Sequence, residues 1–136
     1  MEEYIIKFTS IVKEFKRKNR AIVSSYKLSP NEIDILVALD LGEYTMAKEI
    51  AEGFEISKSL VCRSVDSLIK KGYIDSKKDE KDKRVSHLVL REEAKHIVNT
   101  LKENREKTTN ILLKDIDEED IKVFNKVLDK MKNNLL

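Results

Sequence analysis

The chain has 136 residues, of which 38% are charged, 40% hydrophobic and only 6% aromatic, with a formal net charge of +2. This is enough apolar material for one compact domain or a small core with flanking helices, and the high charge with few aromatics fits a helical surface laced with ion pairs better than a sandwich or barrel. A lone cysteine, Cys62, excludes an intrachain disulfide and suits a reducing compartment; no apolar run approaches the roughly 20 residues of a membrane span, and "MEEYIIKF" begins acidic, unlike a signal peptide, so a cytoplasmic protein without membrane contact is expected.

In chain order, Ile5, Phe8, Ile11, Val12 and Phe15 recur at three- and four-residue steps and predict a first helix that continues through Ile22, Val23 and Tyr26. In "LSPNEIDILVALDLGE", Ser29 stands as N-cap, Pro30 at the first helical position and Glu32 three residues after the serine, the pattern of a capping box. Ile33, Leu36, Val37 and Leu39 then supply an apolar face, and Gly42 the stop. A short segment from Thr45 to Gly53, with Thr45 as its cap, buries Met46, Ala47, Ile50 and Ala51.

"SKSLVCRSVDSLIKKGYI" follows at once. From Ser57 to Gly72, Leu60, Val61, Val65, Leu68 and Ile69 fall on one side of a helix, leaving Ser59, Cys62, Arg63, Asp66, Ser67 and Lys70 on the other. Charge is divided unevenly here. Ser29 to Tyr44 carries Glu32, Asp34, Asp40 and Glu43 with no basic residue, whereas Ser57 to Gly72 carries Lys58, Arg63, Lys70 and Lys71 against Asp66 alone. Two helices joined by a short turn near a glycine make a helix-turn-helix, whose second helix enters a DNA major groove. Small side chains allow close approach, Arg63 offers a two-pronged donor to guanine, and the Ser57 end presents backbone N–H groups to phosphate. "YIDSKKDEKDKRVSHLVL" then reads as two antiparallel strands with a long charged loop, a wing whose tip carries Lys77, Lys78, Lys81, Lys83 and Arg84. An arginine on such a ribbon reaches the adjacent minor groove.

These residues resemble the MarR-type winged-helix transcriptional regulators. The likeness runs through "SKSLVCRSVDSLIKKGYI" and "DEKDKR", where Asp82 and Arg84 match the Asp-x-Arg signature of that family's wing, and more weakly through "LSPNEIDILVAL". Glu80 stands where members often carry proline, and "LREEA" where they have Leu-Thr-x-x-Gly. After the wing, Ala94, Ile97, Val98, Leu101, Thr108, Ile111 and Leu112 trace a long helix, and Asp117 opens a last one with Ile121, Phe124, Val127, Leu128, Met131 and Leu135. A small core cannot cover all these stripes, so burial between two copies is expected. The resemblance implies the same: a dimer formed by first and last helices on a two-fold related DNA site, with half-sites roughly 10 bp apart. It further implies a small effector, often aromatic or anionic, between the DNA-reading and dimerising helices.

The expected architecture is therefore mainly α with a small antiparallel β-wing, a winged helix-turn-helix over residues 29–91 flanked by dimerisation helices over 1–28 and 92–136. The expected function is sequence-specific binding of double-stranded DNA as a homodimer on an inverted repeat, acting as a repressor. Ser57, Lys58, Ser59, Cys62 and Arg63 are assigned to the major groove, and Lys77, Lys78, Lys83 and Arg84 to the minor groove and backbone. Plainer roles compete: Arg63 pairing with Asp66 or Ser59, Arg84 locking onto Asp82 or Asp79, and the whole fold serving as a protein-interaction module. Cys62 raises a redox sensor as another alternative, since Arg63 and the helix N-terminus favour a thiolate, although a small residue tolerated at that spot explains it too. His87 and His96 have no second cysteine or carboxylate pattern beside them, and no phosphate loop or nucleophile elbow is present, so neither a metal, a cofactor nor catalysis is expected.

Overall fold

The computed structural model describes residues 2–21 and 23–136. Among these, the order is α1 (Glu2–Ala21), a 3-10 turn (Val23–Tyr26), α2 (Pro30–Leu41), α3 (Ala47–Gly53), α4 (Lys58–Lys70), β1 (Ile74–Lys78), β2 (Ser86–Leu90), α5 (Glu92–Leu112) and α6 (Glu118–Leu135). This is the mainly helical winged helix-turn-helix expected from the sequence.

The first helix is shorter than its apolar pattern suggests. It ends at Ala21, whose carbonyl accepts the Ser24 hydroxyl at 3.1 Å, and Lys27 adopts a left-handed φ of 54°. That turn brings Tyr26 and Leu28 against the core, which a continuing helix would carry past it. Ile22 lies outside the described residues.

Helix α2 starts where its sequence says, with the Ser29 hydroxyl accepting from the Glu32 amide at 3.2 Å and Pro30 in the first turn. Only this half of the expected capping box forms. The Glu32 carboxylate turns inward, 7% exposed, and accepts from Lys71 Nζ at 2.7 Å and the Ser67 hydroxyl at 3.5 Å. Lys71 also donates to the Lys27 carbonyl at 3.1 Å, so one half-buried ion pair ties the start of α2 to the end of α4. At the other end Gly42, at φ 75°, closes α2 by donating its N–H to the Leu39 carbonyl at 3.2 Å, a backbone state that favours glycine.

Thr45 is not the cap of α3. Its carbonyl accepts the Leu88 N–H of β2 at 2.7 Å, which draws Thr45 into the edge of the sheet and leaves Met46 as the N-cap. Glu49 Oε1 satisfies the amides instead, accepting from Thr45 at 3.1 Å and Met46 at 2.9 Å. The turn into α4 depends on Gly53, because a Cβ there would stand 2.7 Å from the ring of Tyr44, which meets Phe54 edge-on at 5.7 Å between centroids.

One core joins these pieces. Ile35, Leu36 and Ala38 of α2, Ile50 of α3, Val61, Val65 and Leu68 of α4, Ile74 and Leu88 of the sheet, and Ala94, Ile97, Val98 and Leu101 of α5 are all buried in one cluster. Removal of this much apolar surface from water, about 25 cal/mol per Å², is what fixes α4 against α2 and α3. Helices α1 and α6 stand apart from it: neither contains a buried residue.

Candidate nucleic-acid interface

The second helix of the helix-turn-helix presents its polar side outward for a simple reason of periodicity. Val61, Ser64, Val65 and Leu68 are buried, so Ser59, Cys62, Arg63 and Asp66, on the opposite side of the helix, are exposed. Leu60 and Ile69, expected inside, sit at the margins of the buried stripe at 38% and 37% exposure. The Ser57 hydroxyl accepts from the Leu60 amide at 3.3 Å and lies 3.4 Å from Ser59 Oγ, so Ser57 is first of all the cap that starts the helix. Arg63 and Lys58 make no ion pair or side-chain hydrogen bond to another described residue, and the pairing of Arg63 with Asp66 or Ser59 does not form. Lys71, counted among the basic residues from Ser57 to Gly72, is engaged by Glu32.

The wing runs antiparallel, with Ile74 opposite Leu90, Ser76 opposite Leu88 and Lys78 opposite Ser86. Ile74 and Leu88 face the core, which leaves the far end of the ribbon without apolar support. Lys77 and Lys78, expected at the tip, belong to β1, and both are exposed. The loop 79–85 is organised by two carboxylates. Asp79 accepts from the amides of Asp82 at 2.9 Å and Lys81 at 3.0 Å and from His87 Nε2 at 2.9 Å. Those contacts, the Asp82 amide first and the His87 ring next, hold its carboxyl below the usual aspartate range. Asp82 in turn accepts from the Arg84 side chain at 3.1 Å and its amide at 3.0 Å, and is lowered for the same reason. The Arg84 side chain nevertheless remains 91% exposed, so the intraloop pair steadies the guanidinium without covering it.

Three residues of this region were given no part in the site from the sequence. His87 was considered only as a metal ligand; it places Nδ1 3.0 Å from Thr45 Oγ1 and Nε2 on Asp79. Thr45 and Glu49 complete the contact from the α3 side, and the two amides on Glu49 hold its carboxyl low. The one local signal was Glu49 standing three residues after Met46. Among the described residues no group of three His, Cys, Asp or Glu is placed to hold a metal, and no helix is long and apolar enough to cross a membrane.

A second feature lies on the opposite side of α2. A cavity of about 800 Å³ is walled by Phe8, Val12 and Phe15 of α1, Ile33, Asp34 and Val37 of α2, Leu101 and Arg105 of α5, and Ile121 and Phe124 of α6. Lys16, Arg20 and Asp120 stand among its polar groups. Burial raises the Asp34 carboxyl above the usual range, against the pull of Arg20 and Lys16.

The sequence profile of the MarR family matches residues 26–85, from the turn before α2 to the end of the wing loop. No curated protein is a sequence match for the chain. Among solved structures, the chain is similar to the transcriptional regulator PA3341, with a TM-score of 0.86, 20% identity, and 99% of this chain and 98% of that one covered. A MarR family transcriptional regulator from Silicibacter pomeroyi superposes with a TM-score of 0.82 at 17% identity over 95% of this chain and 87% of that one. A protein from Listeria monocytogenes, described as a MarR family transcriptional regulator and solved in complex with 26mer DNA, gives 0.85 at 18% identity over 96% and 87%. Residues 26–85 thus match the MarR family profile, and the chain as a whole shares the winged helix-turn-helix fold and helical frame of these solved structures.

Proposed function

We propose that the protein is a sequence-specific DNA-binding transcriptional regulator, a homodimer that acts on an inverted repeat and represses by occluding a promoter. Residues 29–91 read DNA, and residues 1–28 and 92–136 join the two copies. In each half-site Ser57, Lys58, Ser59, Cys62 and Arg63 enter the major groove, and Lys77, Lys78, Lys83 and Arg84 meet the minor groove and backbone. The observation that carries this reading is the uncovered polar face of α4: a capped helix held by its other side, with Arg63 unpaired and a cationic ribbon beside it. The complex of the Listeria monocytogenes protein with DNA supports it.

Dimerisation rests on a separate observation. Helices of 20 and 18 residues with no buried residue between them are not stable elements of a lone chain in water. Ile5 at 66%, Phe124 at 52% and Met131 at 57% exposure belong to the surface a second copy covers. The cavity between α1, α2, α5 and α6, apolar with a few charged groups, is the site proposed for a small effector.

Selection of bound sequences from random duplex DNA at fixed salt tests the central claim. Enrichment of an inverted repeat with half-sites roughly 10 bp apart is expected. Failure to enrich any sequence, with weak binding to every duplex at low salt, would remove the regulator reading in favour of a protein-interaction module.

A further inference from the structure

We propose that His87 is a positioning residue for DNA binding: by spanning Asp79 in the wing loop and Thr45 at the foot of α3, it sets the stance of the wing against the helix-turn-helix. The inference rests on the proposed contact of the wing with DNA. Its basis is a continuous chain of hydrogen bonds. Glu49 of α3 holds the Thr45 amide at 3.1 Å, Thr45 Oγ1 lies 3.0 Å from His87 Nδ1, His87 Nε2 lies 2.9 Å from Asp79 Oδ1, and Asp79 binds the amides of Lys81 and Asp82. His87 touches both ends. The loop it holds carries Lys81, Lys83 and Arg84, and Val85 is its one apolar residue.

The bridge is insensitive to the charge on the ring. With a proton on Nε2 alone, Nε2–H donates to Asp79 and Nδ1 accepts the Thr45 hydroxyl. With both nitrogens protonated, Nδ1–H donates to Thr45 Oγ1 and that hydroxyl turns to Glu49 Oε1, 3.4 Å away. Either state satisfies every group, which is the property of a brace. Lys77 lies opposite His87 in the ladder, so the braced register is also the one that carries a strand lysine proposed to meet DNA.

A double-mutant cycle tests this on the duplex recovered by selection, with thermal unfolding followed in parallel. His87→Ala should weaken binding about tenfold at a temperature where the protein is fully folded, a coupling of about 1.4 kcal/mol. Because the loss acts through the wing contact, His87→Ala added to Arg84→Ala should cost little beyond Arg84→Ala alone. Thr45→Val, which removes only the hydroxyl, should reproduce the defect and Thr45→Ser should restore binding, so the question stays answerable if His87→Ala folds poorly. A lowered melting temperature with wild-type affinity in both His87→Ala and Thr45→Val, or a loss fully additive with that of Arg84→Ala, would overturn the positioning role while leaving the regulator reading intact. No loss on Arg84→Ala would instead take the wing off the DNA, and the inference with it.

Discussion

Arg63 is a residue whose exposure was legible from spacing alone, because four buried neighbours at three- and four-residue steps leave its side chain nowhere to go but outward. Contact with a base edge predicts that Arg63→Ala costs on the order of 1–3 kcal/mol on the selected duplex and flattens discrimination at one position per half-site. Equal loss on random DNA would mean that it meets only phosphate. Asp34 gives a prediction of a different kind. Its carboxyl is raised by burial at the cavity wall, so the folded protein holds that proton more tightly than the unfolded chain does. The ionised group therefore costs stability above its folded pKa, and the cost disappears below the unfolded value of about 3.9. Asp34→Asn is expected to be more stable than the parent at pH 7, with the advantage fading as pH falls through the raised folded pKa and gone below about 4; thermal unfolding across that range measures it, and a pH-independent difference would refute the burial account.

At the scale of elements, starts and stops were readable wherever they are decided locally. Ser29 and Ser57 stand at N-caps and Gly42 at a stop because each acts on amides or carbonyls a few residues away, and Asp117 precedes the acidic first turn of α6. Thr45 and Glu32 were misread because their partners are remote in sequence: Leu88 draws Thr45 into the sheet edge, and Lys71 draws Glu32 away from its own helix. No window on the chain contains both members of either pair. The Glu32–Lys71 pair makes a testable link between α2 and α4. Lys71→Met leaves a carboxylate 7% exposed without its cation and should destabilise the domain by about 1–3 kcal/mol, less than a fully enclosed pair because the lysine is one-third exposed. Replacing both residues, Glu32→Gln with Lys71→Met, should recover part of that loss in denaturant unfolding, and no recovery would mean the two act independently.

For the molecule as a whole, the apolar stripes on the first and last helices led to the expectation of burial between two copies, and the single chain leaves those helices without a buried residue. That gap is the physical content of the dimer proposal. Deletion of residues 129–136 removes Met131, Leu135 and Leu136, exposed at 57%, 90% and 94%, and should weaken self-association in sedimentation. Affinity for the selected duplex should fall with it, since one reading head then binds without the second. A truncated protein that stays dimeric with unchanged DNA binding would place the interface elsewhere. Cavity and reading head share α2, whose Ile33 and Val37 line the one while Ile35 and Leu36 anchor the core beneath the other.

The wing loop is held by carboxylates, and that choice has a calorimetric consequence. Opening the segment from Asp79 to Val85 releases hydrogen bonds of Asp79 and Asp82 to amides, a guanidinium and an imidazole, yet exposes almost no apolar surface. Heat capacity and denaturant slope both scale with the surface uncovered, so such an opening is nearly silent in either. Fraying of the loop on acidification, as protons reach two carboxyls whose folded values lie below the usual aspartate range, is therefore expected to appear as lost amide protection at Lys81, Asp82 and Arg84 while the heat-capacity trace of the domain stays flat.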